Sequence, residues 1–279
     1  FRRVLFRSYQ SDVSAAVMRL GFPISEYSMV GLRYIYKFEK VRPYAGAPLE
    51  VRLAAGSASG SILGYSYSYN DLDDYRAPTT GGTFSFSQDF AGFGGTLKYL
   101  STYSTFSKFT PFFEGAVVGS FSGNAGYITG YNGSLVPFNE RFFRGAESFR
   151  GFAIAGVGPR DLVAPNNTGS VGANVYAIGT VAARLPSLVP ESYGIGLSLF
   201  TDFGTIGHLD NITTRTCTGI RYSGIGSCVK DNLAFRATAG ISVNWKSPFG
   251  PVQISVALPY VKESYDRAQL IHFSTATGY

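Results

Sequence analysis

The sequence predicts an all-β protein, an antiparallel transmembrane β-barrel, and three observations carry that prediction. Polar and apolar residues alternate over tracts of up to thirteen residues, as from Leu233 to Trp245. Only 15% of residues are charged, yet no run of eighteen apolar residues exists. Short and long connections alternate along the chain. Membrane barrels combine these properties because lipid-facing residues alternate with lumen-facing ones, whereas a crossing helix needs ~20 apolar residues in a row. A soluble domain carries about 25% charged residues and strands of ~5–6 residues.

The first eight residues, F-R-R-V-L-F-R-S, read as the translation of a sequencing-library adapter and are set aside. Without Arg2, Arg3 and Arg7 the formal net charge falls from +6 to +3. A net charge that small gives no case for a nucleic-acid partner. Residues 9–279 then read as part of a barrel that begins upstream.

Eleven strands follow in order. Residues 11–21 form the weakest candidate. In 27–38, Val30, Leu32, Tyr34, Tyr36 and Phe38 face out against Arg33 and Lys37, and in 61–69 Leu63, Tyr65, Tyr67 and Tyr69 face out against Gly64, Ser66 and Ser68. Three strands are expected over 83–89, 93–105 and 109–121. The segment 174–185 turns Val175, Ala177, Val181 and Leu185 outward; 193–204 turns Ile195, Leu197, Leu199 and Phe203 outward and Asp202 inward. The clearest period of two runs through 233–245 and 252–260. The last strand spans 269–279. Short connections are expected at 22–25, 106–108, 187–191 and 246–250, and long ones at 39–60, 122–172 and 207–232. Tyr65, Tyr67, Tyr69, Tyr99, Tyr103, Trp245 and Tyr260 lie near strand ends and suit interfacial girdles. Eleven strands are an odd number for a bacterial barrel, and an unclosed edge in lipid leaves backbone groups unpaired. The count therefore points to further strands upstream.

One long connection contains F-N-E-R-F-F-R-G-A-E-S-F-R-G-F, residues 138–152, which sets three arginines among five phenylalanines without strand or helix period. Ordered loops with such anchors are usually functional. Cys217 and Cys228, with ten residues between them, read as a loop disulfide. Two thiols make no zinc site, and neither His208 nor His272 has ligand spacing to them, so no metal is expected. G-x-S-x-G, H-E-x-x-H and P-loop motifs are missing, so neither catalysis nor a cofactor is expected. A passive porin wants charged rings in its lumen, whereas the inward faces here are mostly Gly, Ser, Thr and Ala.

Phe149-Arg150-Gly151-Phe152 resembles the [VF]-R-G-[YF] loop motif of the BamA family of outer-membrane assembly factors. P-F-N-E-R-F-F-R-G-A before it, G-x-G-P-R-D at 156–161, D-F-G-T at 202–205 and W-K-S-P-F-G-P at 245–251 extend the resemblance over nearly the whole chain. It implies that the eleven strands are the C-terminal part of a sixteen-stranded barrel in the bacterial outer membrane, preceded by POTRA domains. It implies a factor that folds and inserts other β-barrels through a lateral seam. Its partners would be nascent outer-membrane β-barrel proteins, the lipid bilayer and, through the POTRA domains, assembly lipoproteins. The two-partner secretion transporters and TamA-like translocation barrels share the loop and are the alternatives. The resemblance further implies that Arg150 meets a carboxylate on the inner wall. Asp202, inward by its own alternation, is the expected partner. A second family carboxylate is replaced here by Ala182, and Glu114 is a possible helper from the adjoining strand. Gly278 and Tyr279 fall in the last strand, at the expected seam, with Tyr279 matching the terminal aromatic of barrel proteins.

Overall fold

The computed structural model describes residues 2–5, 9–45, 47, 49–162, 169–186, 190, 193–210, 229–247 and 250–275. In chain order the strands are β1 (Arg2–Leu5), β2 (Tyr9–Pro23), β3 (Ser28–Pro43), β4 (Gly56–Asn70), β5 (Gly81–Gly95), β6 (Tyr99–Phe112) and β7 (Val117–Gly130). Two-residue strands β8 (Arg160–Asp161) and β9 (Gly169–Ser170) precede β10 (Val175–Leu185) and β11 (Ile195–Gly207). After β12 (Val229–Lys230) come β13 (Phe235–Ser247), β14 (Gly250–Val261) and β15 (Ile271–Thr275). A short helix, α1 (Leu49–Leu53), sits between β3 and β4.

Twelve strands form one antiparallel meander in the order β1 to β7, β10, β11, β13, β14, β15, while β12, β8 and β9 make a separate small sheet. Among the described residues β1 and β15 are not paired with each other, so the large sheet is an open row. Its outer face presents the apolar half of each alternation: Leu32, Tyr34, Leu63, Tyr65, Leu199, Ile241, Ile254 and Leu258 are all exposed. In a soluble protein such a surface would drive aggregation; in lipid it is the stable arrangement. Glycines on this face sit beneath aromatic rings, Gly123 under Phe106 and Gly179 under Phe203.

The periodic strands match β2–β7, β10, β11 and β13–β15, but the boundaries around β5 to β7 differ from expectation. Phe93 lies at the end of β5, and 106–108, expected as a turn, lie inside β6. The turn is Phe113–Gly115, where Phe113 and Glu114 adopt left-handed backbone angles (φ 52° and 56°) ahead of Gly115. Left-handed Phe and Glu are uncommon, so turn composition gave no signal there. Glu114 is therefore an exposed turn residue at the end of the sheet away from the long loops. Ser122, paired with Thr180 beside Asp202, is eight residues further along β7, roughly 25 Å at strand rise. Glu114 cannot assist Asp202.

Two further expectations are corrected. Residues 122–130 belong to β7, so the long loop spans 131–174, and the first long connection shortens to 44–55 because β3 runs to Pro43 and β4 starts at Gly56. Tyr99 and Tyr103 are not girdle residues. The register Phe84↔Phe106 and Phe86↔Ser104 puts the even positions of β6 on the lipid face, leaving both tyrosines on the lumen face. The shared strand-end location hid a difference of one residue in register, which flips the face.

Candidate functional site

Loop 131–174, over its described residues, folds back against the inward face of the sheet. Its apolar residues explain why: Phe149 and Phe152 are fully buried and pack edge to face at 5.1 Å, against Val157, Ala173, Tyr176, Ile178 and Ile206. Burying two phenylalanines stabilises the docked loop by several kcal/mol (~1.5–3 each). Two glycines permit the path. Gly145 has φ 133°, and a Cβ there would stand 2.0 Å from the Ala153 carbonyl oxygen; Gly151 has φ 89°, and its Cβ would meet Thr238 Cγ2 at 3.0 Å.

The motif between them delivers Arg150 to the inner wall. Its Nε donates to Asp202 Oδ2 at 2.9 Å, its Nη2 donates to Oδ1 at 2.6 Å, and its backbone N–H also donates to Oδ2 at 3.0 Å. Thr180 Oγ1 supplies a fourth donor to Oδ1 at 2.8 Å. The guanidinium lies 3.3 Å from the ring centre of Phe200, which shares the inward face of β11. A bidentate fork stacked on an aromatic ring fixes orientation as well as distance. The carboxylate is all but inaccessible, 2% exposed against 16% for the arginine.

The loop also zips onto the approach to β15. Gln269 N–H donates to the Gly151 carbonyl at 2.9 Å, Phe152 bridges Ala268, and Ala153 N–H donates to the Arg267 carbonyl at 2.9 Å. His272 Nε2 lies 3.1 Å from Gly151 N and 2.8 Å from the Gln269 carbonyl oxygen. Unprotonated, that nitrogen accepts from Gly151; protonated, it donates to Gln269. Nearby, Arg236 and Asp266 form a fully buried pair at 2.7 Å that ties loop 262–270 to β13. Arg160, in β8, donates to the Ala155 carbonyl at 2.9 Å; burial, with Arg267 close by, lowers its pKa to about 10.

Of the residues expected at the site, Phe149, Arg150, Gly151, Phe152 and Asp202 are brought together and Glu114 is not. Cys217, Cys228, Gly278 and Tyr279 lie outside the described residues. Thr180, Phe200, His272, Arg236 and Asp266 were missed. Ala182 lies opposite Phe200; the position opposite Asp202 is Thr180.

An Omp85 superfamily domain matches residues 2–278. The chain belongs to the Omp85 superfamily. Membership, together with likeness to bacterial BamA proteins, places this Omp85 chain in the bacterial outer membrane. It is 30% identical over 249 residues to the outer membrane protein assembly factor BamA of Neorickettsia risticii, covering 89% of this chain and 31% of that one. It is 27% identical to BamA of Neisseria meningitidis, covering 98% and 37%. The chain thus spans about a third of the length of these curated relatives. Among solved structures, BamA from Haemophilus ducreyi lacking POTRA domains 1–3 superposes with a TM-score of 0.78 at 22% identity, covering 95% of this Omp85 chain and 54% of the other. CdiB from Acinetobacter baumannii gives 0.56 at 12% identity, a likeness of fold alone.

Proposed function

We propose that this chain is the barrel portion of an outer-membrane protein assembly factor, which folds and inserts β-barrel proteins through a lateral seam. The observation that carries the reading is the F-R-G-F loop held on the inner wall by the Arg150–Asp202 fork, within an Omp85 sheet. The likeness to named assembly factors over nearly the whole chain supports it. Mechanistically, an opened edge offers unpaired amides and carbonyls on which an incoming strand adds by β-augmentation. Burial of apolar strand faces and satisfaction of backbone groups in lipid then drive insertion without nucleotide chemistry. Among the described strands β15 is the candidate edge: it pairs with β14 over five residues, from Ile271 to Thr275. The partners are unfolded barrel proteins and the bilayer, with lipoproteins reached through POTRA domains of the complete protein.

The test uses the complete protein in a strain that depends on it. Arg150→Ala lowers the amount of porin delivered to the outer membrane while the variant itself still inserts in part. Normal porin levels in that strain would overturn the assignment.

A further inference from the structure

The loop is held a second time, at its root, by residues of P-F-N-E that the F-R-G-F lock does not involve. Residues Phe138–Glu140 form one 3-10 turn against residues of β2, β3 and β6, separate from β10 and β11, which carry Thr180 and Asp202. Phe138 is buried among Tyr9, Val41, Val51 and Val171, with the Tyr9 ring edge-on at 5.5 Å. Next to it, the Glu140 carboxylate receives Lys37 Nζ and, at 3.0 Å, the Tyr99 hydroxyl. Asn139 Nδ2 donates to Glu39, whose carboxylate also accepts from Ser11 at 2.6 Å and lies 3.5 Å from Lys37. All of these side chains are largely withdrawn from solvent: 16% exposed for Lys37, 6% for Glu39 and 13% for Glu140.

We propose that Glu140 and Lys37 form a second clamp that positions the lumen loop, so that the F-R-G-F tip reaches Asp202 only when the root is fastened to β3. Two carboxylates and one ammonium at this depth are stable only together. Glu39 and Glu140 repel each other, and Lys37 is the cation that both face. Loss of Lys37 strands two buried charges, while loss of Glu140 frees the root but leaves Lys37 its Glu39 partner. The clamp also explains the inward tyrosine at position 99, which completes the coordination of Glu140. Glu140 and Lys37 touch no client; they act through the loop and are positioning residues for the assembly activity proposed above, on which their functional role rests.

The experiment uses the complete protein, purified in detergent and also expressed in a dependent strain. Limited digestion with an arginine-specific protease reads the loop, since Arg141, Arg144 and Arg150 are cleavage sites that docking protects and a lysine at position 140 adds none. Glu140→Lys and Lys37→Glu each raise the loop cleavage rate by about tenfold, in line with charged hydrogen bonds lost from a buried site. The exchanged pair K37E/E140K, which puts opposite charges back in contact, restores protection. Single variants cut no faster than the parent, or an exchange as exposed as the singles, overturn the clamp. If the reversals fail to give a heat-modifiable barrel, Glu140→Gln decides: faster cleavage supports the clamp and parental cleavage overturns it. Porin delivery is read in parallel. A loosened loop with normal porin levels leaves the clamp standing and sinks the assembly reading; a protected loop with reduced porin levels sinks the clamp.

Discussion

Replacing Asp202 with Asn tests the central contact most sharply, because it removes charge with almost no change in volume. The carboxylate accepts four hydrogen bonds, three from Arg150 and one from Thr180, so both lone-pair regions of each oxygen are in use. An amide keeps one acceptor oxygen and turns an NH2 toward two donors. At least two of the four bonds are lost, and the guanidinium stays over Phe200 without a counter-charge. Breaking one side of a buried ion pair typically costs ~3–5 kcal/mol. Arg150 retains 16% exposure, so water takes up part of the loss, and about 3 kcal/mol is the fitting figure. That shifts the docked–undocked balance of the loop by on the order of a hundredfold. The assay is trypsin cleavage at Arg141 and Arg144, which every variant retains, with the heat-modifiable gel shift showing that the sheet persists. The double variant Arg150→Met with Asp202→Asn should recover much of the docking, since no charge is then stranded. Parental cleavage in the single variant, or a double variant worse than the single, would refute the reasoning.

Gly151→Ala should loosen the loop tip by about 1–2 kcal/mol, from the positive φ and the contact with Thr238, and a cleavage rate unchanged from parent would contradict this. Arg236→Met leaves Asp266 charged in a fully buried site and should lower the unfolding midpoint by an amount matching ~3–5 kcal/mol, read by gel shift against temperature; pairing it with Asp266→Leu should restore stability. Asp73, in the 71–80 connection, accepts hydrogen bonds from the Thr79 hydroxyl and from the Thr79 and Thr80 amides at 2.9 and 3.0 Å, which hold its carboxyl well below the ordinary 3.8. Because the folded pKa is depressed, the stabilisation is present above the unfolded pKa and is lost only as pH falls through the folded one. The Thr79 and Thr80 amides should therefore keep their hydrogen-exchange protection to below pH 3.8, and loss of protection near pH 5 would count against it.

Strands with strict alternation were legible because a period of two has one physical reading when one face is apolar. The same rule turned Asp202 inward before any contact was known. It failed between residues 89 and 121, where the turn depends on left-handed Phe113 and Glu114 and not on Gly-Pro or Asn-Gly chemistry. Thr180 was hidden for a different reason. Alternation says which way a side chain points but not which residue of the next strand stands opposite, and that register is fixed by turns and loops. Arg236–Asp266 and the Lys37–Glu140 contact were illegible for the same cause, since each joins a wall residue to a loop residue with no periodic relation to it.

The meander leaves one asymmetry in how the parts are connected. Each strand of the large sheet pairs with the spanning strand before or after it, so backbone pairing grows outward from each hairpin. The lumen loop is bound across much longer stretches of chain, 52 residues from Arg150 to Asp202 and 103 from Lys37 to Glu140. Closure entropy rises only by ~0.6 kcal/mol per doubling of span, so distance alone does not forbid these contacts. It does mean that these two contacts owe nothing to local zippering and rest on side-chain chemistry, with the Arg150 backbone N–H adding one donor to Asp202. The wall is thus built from pairings between successive spanning strands, whereas the docked loop is held by partners distant in sequence.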